Sequence, residues 1–230
     1  MKISGLIKSS LIDYPGKITA IVFTQGCNFR CPFCHNPDLE STELPARISE
    51  DFLFNFLEKR KDLLDAVTIT GGEPTIHEDL AEFIAKIKEL GYFVKLDSNG
   101  TNPAFLKQIL DGGNVDYVAM DIKQCREKYP LVAGKVDVAK IARSIEIIKT
   151  SGLKYEFRTT VLPKLHHLED FERMGQMIMG SNNYFIQNFM PEVTLNKTYQ
   201  KERSFTLSEL QEIKKIMQKY VKNCSIRENI

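Results

Sequence analysis

Three cysteines and a histidine crowd into one short stretch. In QGCNFRCPFCHNPDL, residues 25–39, Cys27, Cys31 and Cys34 are separated by three and then two residues, and His35 follows directly. Thiols this close support four kinds of chemistry. CPFC matches a Cys-x-x-Cys redox pair, but that leaves Cys27 idle, and the surrounding order of elements is not thioredoxin-like. CPFCH matches the haem-attachment signature. Haem again leaves Cys27 unexplained and calls for a compartment that this chain shows no signal to reach. A structural zinc would take Cys27, Cys31, Cys34 and His35 as a Cys3His set, yet the adjacent Cys34 and His35 are poorly placed to meet one ion from the same side. The last candidate is a four-iron cluster. Such a cluster normally takes four thiolates; three would leave one iron open to a substrate, and the spacing is short enough for one loop to wrap three corners.

A loop of this kind needs elements to position it, and the sequence supplies a repeating strand–turn–helix pattern. Short β-branched or aromatic runs predict strands at ITAIVFT (18–24), AVTIT (66–70), YFVKLD (92–97), DYVAMDI (116–122), KYEFRTTV (154–161) and YFIQNFM (184–190). Helical periodicity lies between them. Ser49 caps a helix over 50–64, and 78–90 forms another that stops at Gly91. Pro103 opens 103–110. Residues 137–152 carry Val138, Ile141, Ile145 and Ile148 on one face. Residues 168–179 form a weaker helix, and about 206–221 a stronger C-terminal one. Alternation of this kind implies a parallel sheet with right-handed crossovers. Six units are too few for a closed eight-stranded barrel, so the expected fold is a partial (βα)6 TIM-like barrel, open over a quarter of its circumference. A doubly wound open sheet is the runner-up. Residues 1–17 read as an N-terminal strand or hairpin outside the repeat, and the whole chain, 1–230, as a single domain with its core over about 18–190.

Both architectures gather chemistry at the carboxyl ends of the strands. The cysteine loop follows the first predicted strand, GGEP (71–74) the second, DSNG (97–100) the third and DIK (121–123) the fourth; Arg158 lies in the fifth, and Gln187 and Asn188 near the end of the sixth. Composition limits the partners. A net charge of +1 gives no electrostatic case for nucleic acid or a membrane surface, and no apolar run approaches the roughly 18 residues of a membrane span. No secretory signal is read at the N-terminus, so the expected location is cytoplasmic. Cys125 and Cys224 read as small buried hydrophobes, and His77, His166 and His167 as solvated side chains.

Cys27-x3-Cys31-x-Phe33-Cys34, with an aromatic residue before the third cysteine, resembles the signature of the radical S-adenosylmethionine (SAM) superfamily, and GGEP is a second element of that superfamily. CHNPD, LDSNG, MDIK and RTTVLP are similar to the glycyl-radical-enzyme activating enzymes. SLIDYPGKITAIVFTQGCNFRCPFCHNPDL is most similar to the anaerobic ribonucleoside-triphosphate reductase activating proteins, and next to the pyruvate formate-lyase activating enzymes; the chain lacks the eight-cysteine ferredoxin insert of some activators. The resemblance implies a [4Fe–4S] cluster on Cys27, Cys31 and Cys34, with SAM on the open iron. It places Phe33 and His35 beside the adenine. Gly71 and Gly72 would admit the backbone edge to the methionine amino group, with Glu73 accepting from that amine or orienting the loop. Ser98, Asn99, Asp121 and Lys123 would contact SAM, Arg158 its carboxylate, and Gln187 (or Asn188) would stand where a relative has histidine. Asp97, Ser98, Asp121 and the Ala119 carbonyl would hold a monovalent cation. The implied partners are a glycyl-radical enzyme, first the anaerobic reductase, and a flavodoxin or ferredoxin-type electron donor. The alternatives are a pyruvate formate-lyase type activator, a radical SAM enzyme acting on a small molecule, and a zinc-binding interaction module.

Overall fold

A computed structural model describes residues 1–227; the expected domain 1–230 also includes residues 228–230, which lie outside the described residues. Eight strands form one sheet whose spatial order is the chain order. The first, β1 (Ile3–Ser10), runs antiparallel to β2 (Thr19–Thr24). Then β3 (Ala66–Gly71), β4 (Phe93–Ser98), β5 (Tyr117–Asp121), β6 (Lys154–Val161), β7 (Asn183–Asn188) and β8 (Asn223–Arg227) each add parallel to the strand before. A doubly wound sheet reverses its strand order at a switch point; here the order never reverses. Among the described residues β1 and β8 are not paired with each other, so the sheet is an open barrel as expected.

The helices are α1 (Glu50–Glu58), α2 (Leu80–Glu89), α3 (Pro103–Asp111), α4 (Tyr129–Ala133), α5 (Val138–Thr150), α6 (Leu168–Met177) and α7 (Leu207–Met217). Their signals are local. The Ser49 hydroxyl accepts from the Phe52 N–H at 3.2 Å, Thr206 and Glu209 form a reciprocal capping box, and Pro103 opens α3. Two helices stop four or more residues before their expected ends. After Glu58, residues 59–64 turn back so that Leu64 is buried while Leu63 stays exposed, and α7 stops at Met217. One strand, β8, and one short helix, α4, were not expected from sequence. NCSIR carries a single β-branched residue, so its place in the sheet is decided by pairing with β7 rather than by propensity.

The apolar faces of the helices pack on the outside of the sheet, burying Leu53, Phe83, Leu106, Ile145, Phe171 and Ile213 among others. Because side chains alternate across a strand, the opposite face points into the barrel, and it is polar. Lys95 and Asp97 of β4, Asp121 of β5 and Glu156, Arg158 and Thr160 of β6 share that interior. Near its floor Lys95 donates to the Asp13 carbonyl (2.6 Å), and Glu156 takes a two-pronged bond from Arg227 of β8 (2.9 and 2.7 Å) plus the Tyr117 hydroxyl (2.9 Å). The fork from Arg227 ties β8, the last strand, to the barrel interior. Cys125 and Cys224 are buried in the apolar core, as expected.

Candidate functional site

The three thiols belong to a loop held from both sides. On one side it is stitched to the turn after β3: Gly72 N–H donates to the Thr24 carbonyl (3.0 Å) and Glu73 N–H to the Gly26 carbonyl (2.8 Å). The loop also closes on itself, with Gly26 N–H on Leu39 O (2.9 Å) and Cys27 N–H on Glu40 O (3.1 Å). The side chain of Gln25 donates to the carbonyls of Asp38 (3.1 Å) and Ser41 (2.7 Å). Asn28 joins the loop to the end of β4, accepting from Asn99 (2.8 Å) and donating to the Thr101 hydroxyl (2.7 Å). On the far side, the segment after β7 caps the third cysteine: Leu195 N–H donates to the Cys34 carbonyl (3.1 Å) and Asn196 N–H to Pro32 O (2.9 Å). The His35 ring stacks on Phe189 (5.6 Å) and its Nε2 bonds the Met190 carbonyl (2.9 Å).

These ties give GGEP a different reason from the one expected. A Cβ on Gly72 would lie 1.9 Å from the Gly26 carbonyl oxygen, and one on Gly71 (φ +115°) 2.4 Å from the Thr24 nitrogen. The pair is glycine because two main chains pass in contact there, whatever else approaches. Glu73 is buried and fully engaged: one carboxylate oxygen accepts from Thr75 N–H (3.1 Å), the Thr75 hydroxyl and the Ser98 hydroxyl (2.8 Å), the other from Asn99 N–H (2.6 Å). Burial pushes its pKa up against the pull of those donors. Of the two roles expected for Glu73, orienting the loop is the one these bonds perform.

Cys27, Cys31, Cys34, Gly72, Glu73, Asp97, Asp121, Lys123, Arg158 and Gln187 all border one cavity of about 300 Å³, as do Phe33, His35, Gly71, Ser98 and Asn99. Side chains from six consecutive strands meet there, which only a curled sheet allows. Ala119, expected to offer its carbonyl, is buried in β5 opposite Asp97 and does not border it. Gln187 does border the cavity, whereas Asn188 bonds the main chain of Phe205 (2.8 and 3.1 Å). Thr160 lines the cavity and was not expected; its position two residues beyond Arg158, on the same strand face, is the signal that could have found it.

The charged wall is tightly paired. Arg158 Nε donates to Asp121 (2.5 Å) and its Nη2 to Asp97 (2.9 Å), while Lys123 donates to the other oxygen of Asp121 (2.9 Å). Burial alone would raise the pKa of both aspartates; Arg158 with Lys123 at Asp121, and Arg158 with Lys95 at Asp97, hold them below the usual range. A guanidinium therefore bridges the two carboxylates read from sequence as cation ligands. One oxygen of Asp97 accepts no hydrogen bond although buried; the Lys95 ammonium lies 3.3 Å from it without the alignment of a bond. Burial pushes the thiols of Cys27 and Cys31 up to about 12 and about 11. Main-chain N–H groups of Phe29 and Asn36 already point at the sulfurs of Cys27 and Cys34, each at 3.4 Å. Among the described residues no three His, Cys, Asp or Glu side chains converge closely enough for one metal ion. His35 is turned to Phe189 and Met190, so the Cys3His zinc set is not assembled.

His166 departs from its expected solvated state: it is 1% exposed, with Nε2 3.0 Å from the Lys123 carbonyl. No helix of the described residues is long and apolar enough to cross a membrane.

Known proteins resemble this chain in sequence and in fold. The sequence model of the Radical SAM superfamily matches residues 21–178. A relative from Methanocaldococcus jannaschii, whose name is that of a glycyl-radical enzyme activating enzyme, is 35% identical over 98% of this chain and 95% of its own. A pyruvate formate-lyase-activating enzyme of Clostridium pasteurianum is 27% identical over 96% of this chain and 97% of its own. Among solved structures, Streptococcus suis SuiB bound to S-adenosylmethionine shares the fold, with a TM-score of 0.67 at 19% identity over 89% of this chain and 48% of that one. Enzymes of the superfamily work with a [4Fe–4S] cluster and SAM. By the matched segment and by the extent of its likeness to these relatives, the chain belongs to the radical SAM superfamily, in the family of glycyl-radical-enzyme activating enzymes.

Proposed function

We propose that this enzyme installs the glycyl radical of an anaerobic ribonucleoside-triphosphate reductase, drawing its electron from a flavodoxin or ferredoxin-type donor in the cytoplasm. The observation that carries the reading is the convergence of three thiols from one interlocked loop and the Asp97–Arg158–Asp121–Lys123 wall on a single cavity. The residues fit the cofactors of the superfamily: the loop brings three thiols and no fourth ligand, and main-chain N–H groups are in place to stabilise thiolate charge. When bound, the cluster and SAM supply a 5′-deoxyadenosyl radical by one-electron cleavage of the sulfonium.

In this reading Cys27, Cys31 and Cys34 hold the cluster, and Phe33 and His35 flank the adenine. Asp97, Asp121, Lys123 and Arg158 form a wall of paired opposite charges that offers carboxylates to the amino group of a methionine moiety and a guanidinium and an ammonium to its carboxylate. Ser98, Asn99 and Glu73 orient the GGEP turn against β4, and Gln187 offers an amide from β7. Asp97 and Asp121, with Ser98, also offer oxygens to a monovalent cation if Arg158 moves aside. The reductase target rests on the likeness of residues 10–39 to the reductase activators.

Anaerobic reconstitution tests the chemistry: about four irons and four sulfides per chain, with reductive formation of 5′-deoxyadenosine, are expected. One zinc and no sulfide would sink it. Mixing the reduced enzyme and SAM with the anaerobic reductase, and separately with pyruvate formate-lyase, identifies the target by the electron paramagnetic resonance doublet of a glycyl radical. A doublet on the lyase alone would reassign the partner.

A further inference from the structure

His166 lies outside the cavity and is the most completely engaged histidine of the chain. It sits in the loop between β6 and α6, its ring stacked on Phe171 at 5.8 Å. Its Nε2 meets the Lys123 carbonyl at 3.0 Å, and its Nδ1 the Leu162 N–H at 3.3 Å. A carbonyl only accepts, so Nε2 carries the hydrogen toward Lys123; Nδ1 lies 3.3 Å from both the N–H and the carbonyl oxygen of Leu162, and in the neutral ring it accepts from the N–H. Burial lowers the imidazole pKa, in keeping with that neutral form. One side chain thereby joins the main chain just past β6, the strand of Arg158, to the main chain just past β5.

Lys123 needs such a tie. It lies beyond the last ladder residue of β5, Asp121. Its N–H goes to the Tyr129 hydroxyl (3.2 Å) and its carbonyl to His166; the preceding carbonyl, of Ile122, goes to the Thr159 hydroxyl (2.7 Å). Beyond the Ile122 N–H, which still donates to the Arg158 carbonyl (2.8 Å), side chains take over from the sheet as the restraint on this turn. Its one cavity-facing group is the Lys123 ammonium, held at 2.9 Å from Asp121.

We infer that His166 is a positioning residue: it fixes the Lys123 main chain against the end of β6 and so sets where the Lys123 ammonium meets the methionine end of SAM. This rests on the reading of Lys123 as a SAM contact and goes beyond it by assigning the residue that holds Lys123 in place.

The test measures equilibrium SAM binding and steady-state 5′-deoxyadenosine formation with cluster-loaded protein. His166→Phe keeps the ring and its stacking but loses both bonds. It is expected to weaken SAM binding and raise KM about tenfold, with iron content and melting temperature near wild type and kcat within about twofold. His166→Gln, which retains a donor and an acceptor, is expected to recover most of the affinity. His166→Asn, polar but too short to span the two main-chain groups, is expected to show the loss and serves if the Phe variant does not accumulate. In a double-variant cycle, His166→Phe is expected to add nothing to Lys123→Ala. Wild-type SAM affinity in both His166→Phe and His166→Asn, or full additivity with Lys123→Ala, would overturn the positioning role. Wild-type affinity in Lys123→Ala alone would instead overturn the reading of Lys123, and the positioning role with it.

Discussion

Cys31 is nearly buried, and its thiol is pushed up to about 11 by burial, with Lys123 nearby pulling the other way. Replacing Cys31 with alanine removes a single heavy atom from the core and, in the proposed reading, one ligand of the cluster. Cys31→Ala is therefore expected to keep the far-ultraviolet circular dichroism of the wild type and to lose nearly all iron after reconstitution; wild-type iron content would refute its role as a ligand. Asp121 makes a second residue-scale case. Arg158 and Lys123 overcome burial and hold its pKa below the ordinary 3.8. A carboxylate depressed in the folded state contributes stability above its unfolded pKa and loses it as pH falls through and below that value. Asp121→Asn should thus be less stable than wild type by about 2 kcal/mol at neutral pH. The gap should begin to narrow as pH falls below about 4 and go on narrowing at still lower pH, since the folded-state value lies far below the unfolded one. Urea midpoints across that range check the sign, and a gap that widens in acid would contradict it. The types and spacing of these side chains were legible in the sequence. Their pairing was not, because Asp97, Asp121 and Arg158 come from three strands whose register only the folded sheet defines.

At the scale of elements, the joint between the cysteine loop and the β3 turn is the sharpest feature. The Gly26 carbonyl accepts from Glu73 N–H and lies against the Gly72 Cα, so two backbones with no side chain to yield are in contact. Gly72→Ala is expected to destabilise the protein by about 3 kcal/mol and to lower cluster content in parallel, because the same displacement shifts the loop that carries Cys27. Gly112→Ala is the control: its backbone is helical and the nearest atoms lie at 3.3 Å or beyond, so its denaturation midpoint should stay close to wild type. Equal effects at the two positions would remove the special status of the joint. Six of the eight strands were readable from short β-branched runs, and β1 from the N-terminal segment. β8 was not, because a five-residue edge strand is held by its neighbour and by Arg227 rather than by its own propensity.

For the whole molecule, the continuous order β1 to β8 joins all described strands in one sheet, and the site draws on both ends of it, from β2 to the segment after β7. Unfolding one end exposes the other, which predicts a single cooperative transition. With no tryptophan in the chain, circular dichroism and tyrosine fluorescence are the probes. Coincident urea curves are expected; two separated transitions would show that the sheet divides into independently stable parts. Among the described residues the same winding leaves the barrel unclosed between β1 and β8.

The sequence by itself determined the chemistry and the class of fold. Ligand type and spacing are local properties of a loop, and strand–helix alternation with six full units narrows the fold to an open barrel or a doubly wound sheet, which the strand order then separates. Tertiary structure decided what those residues do to one another. It made the GGEP glycines a backbone joint, gave the Glu73 carboxylate to its own loop and set Arg158 between two aspartates. It also turned His35 away from the thiols and drew His166 from its expected place in solvent to the carbonyl of Lys123. The physical reason is the same in each case: a contact between elements distant in the chain depends on register, curvature and burial, and none of these is written in the spacing of neighbouring residues.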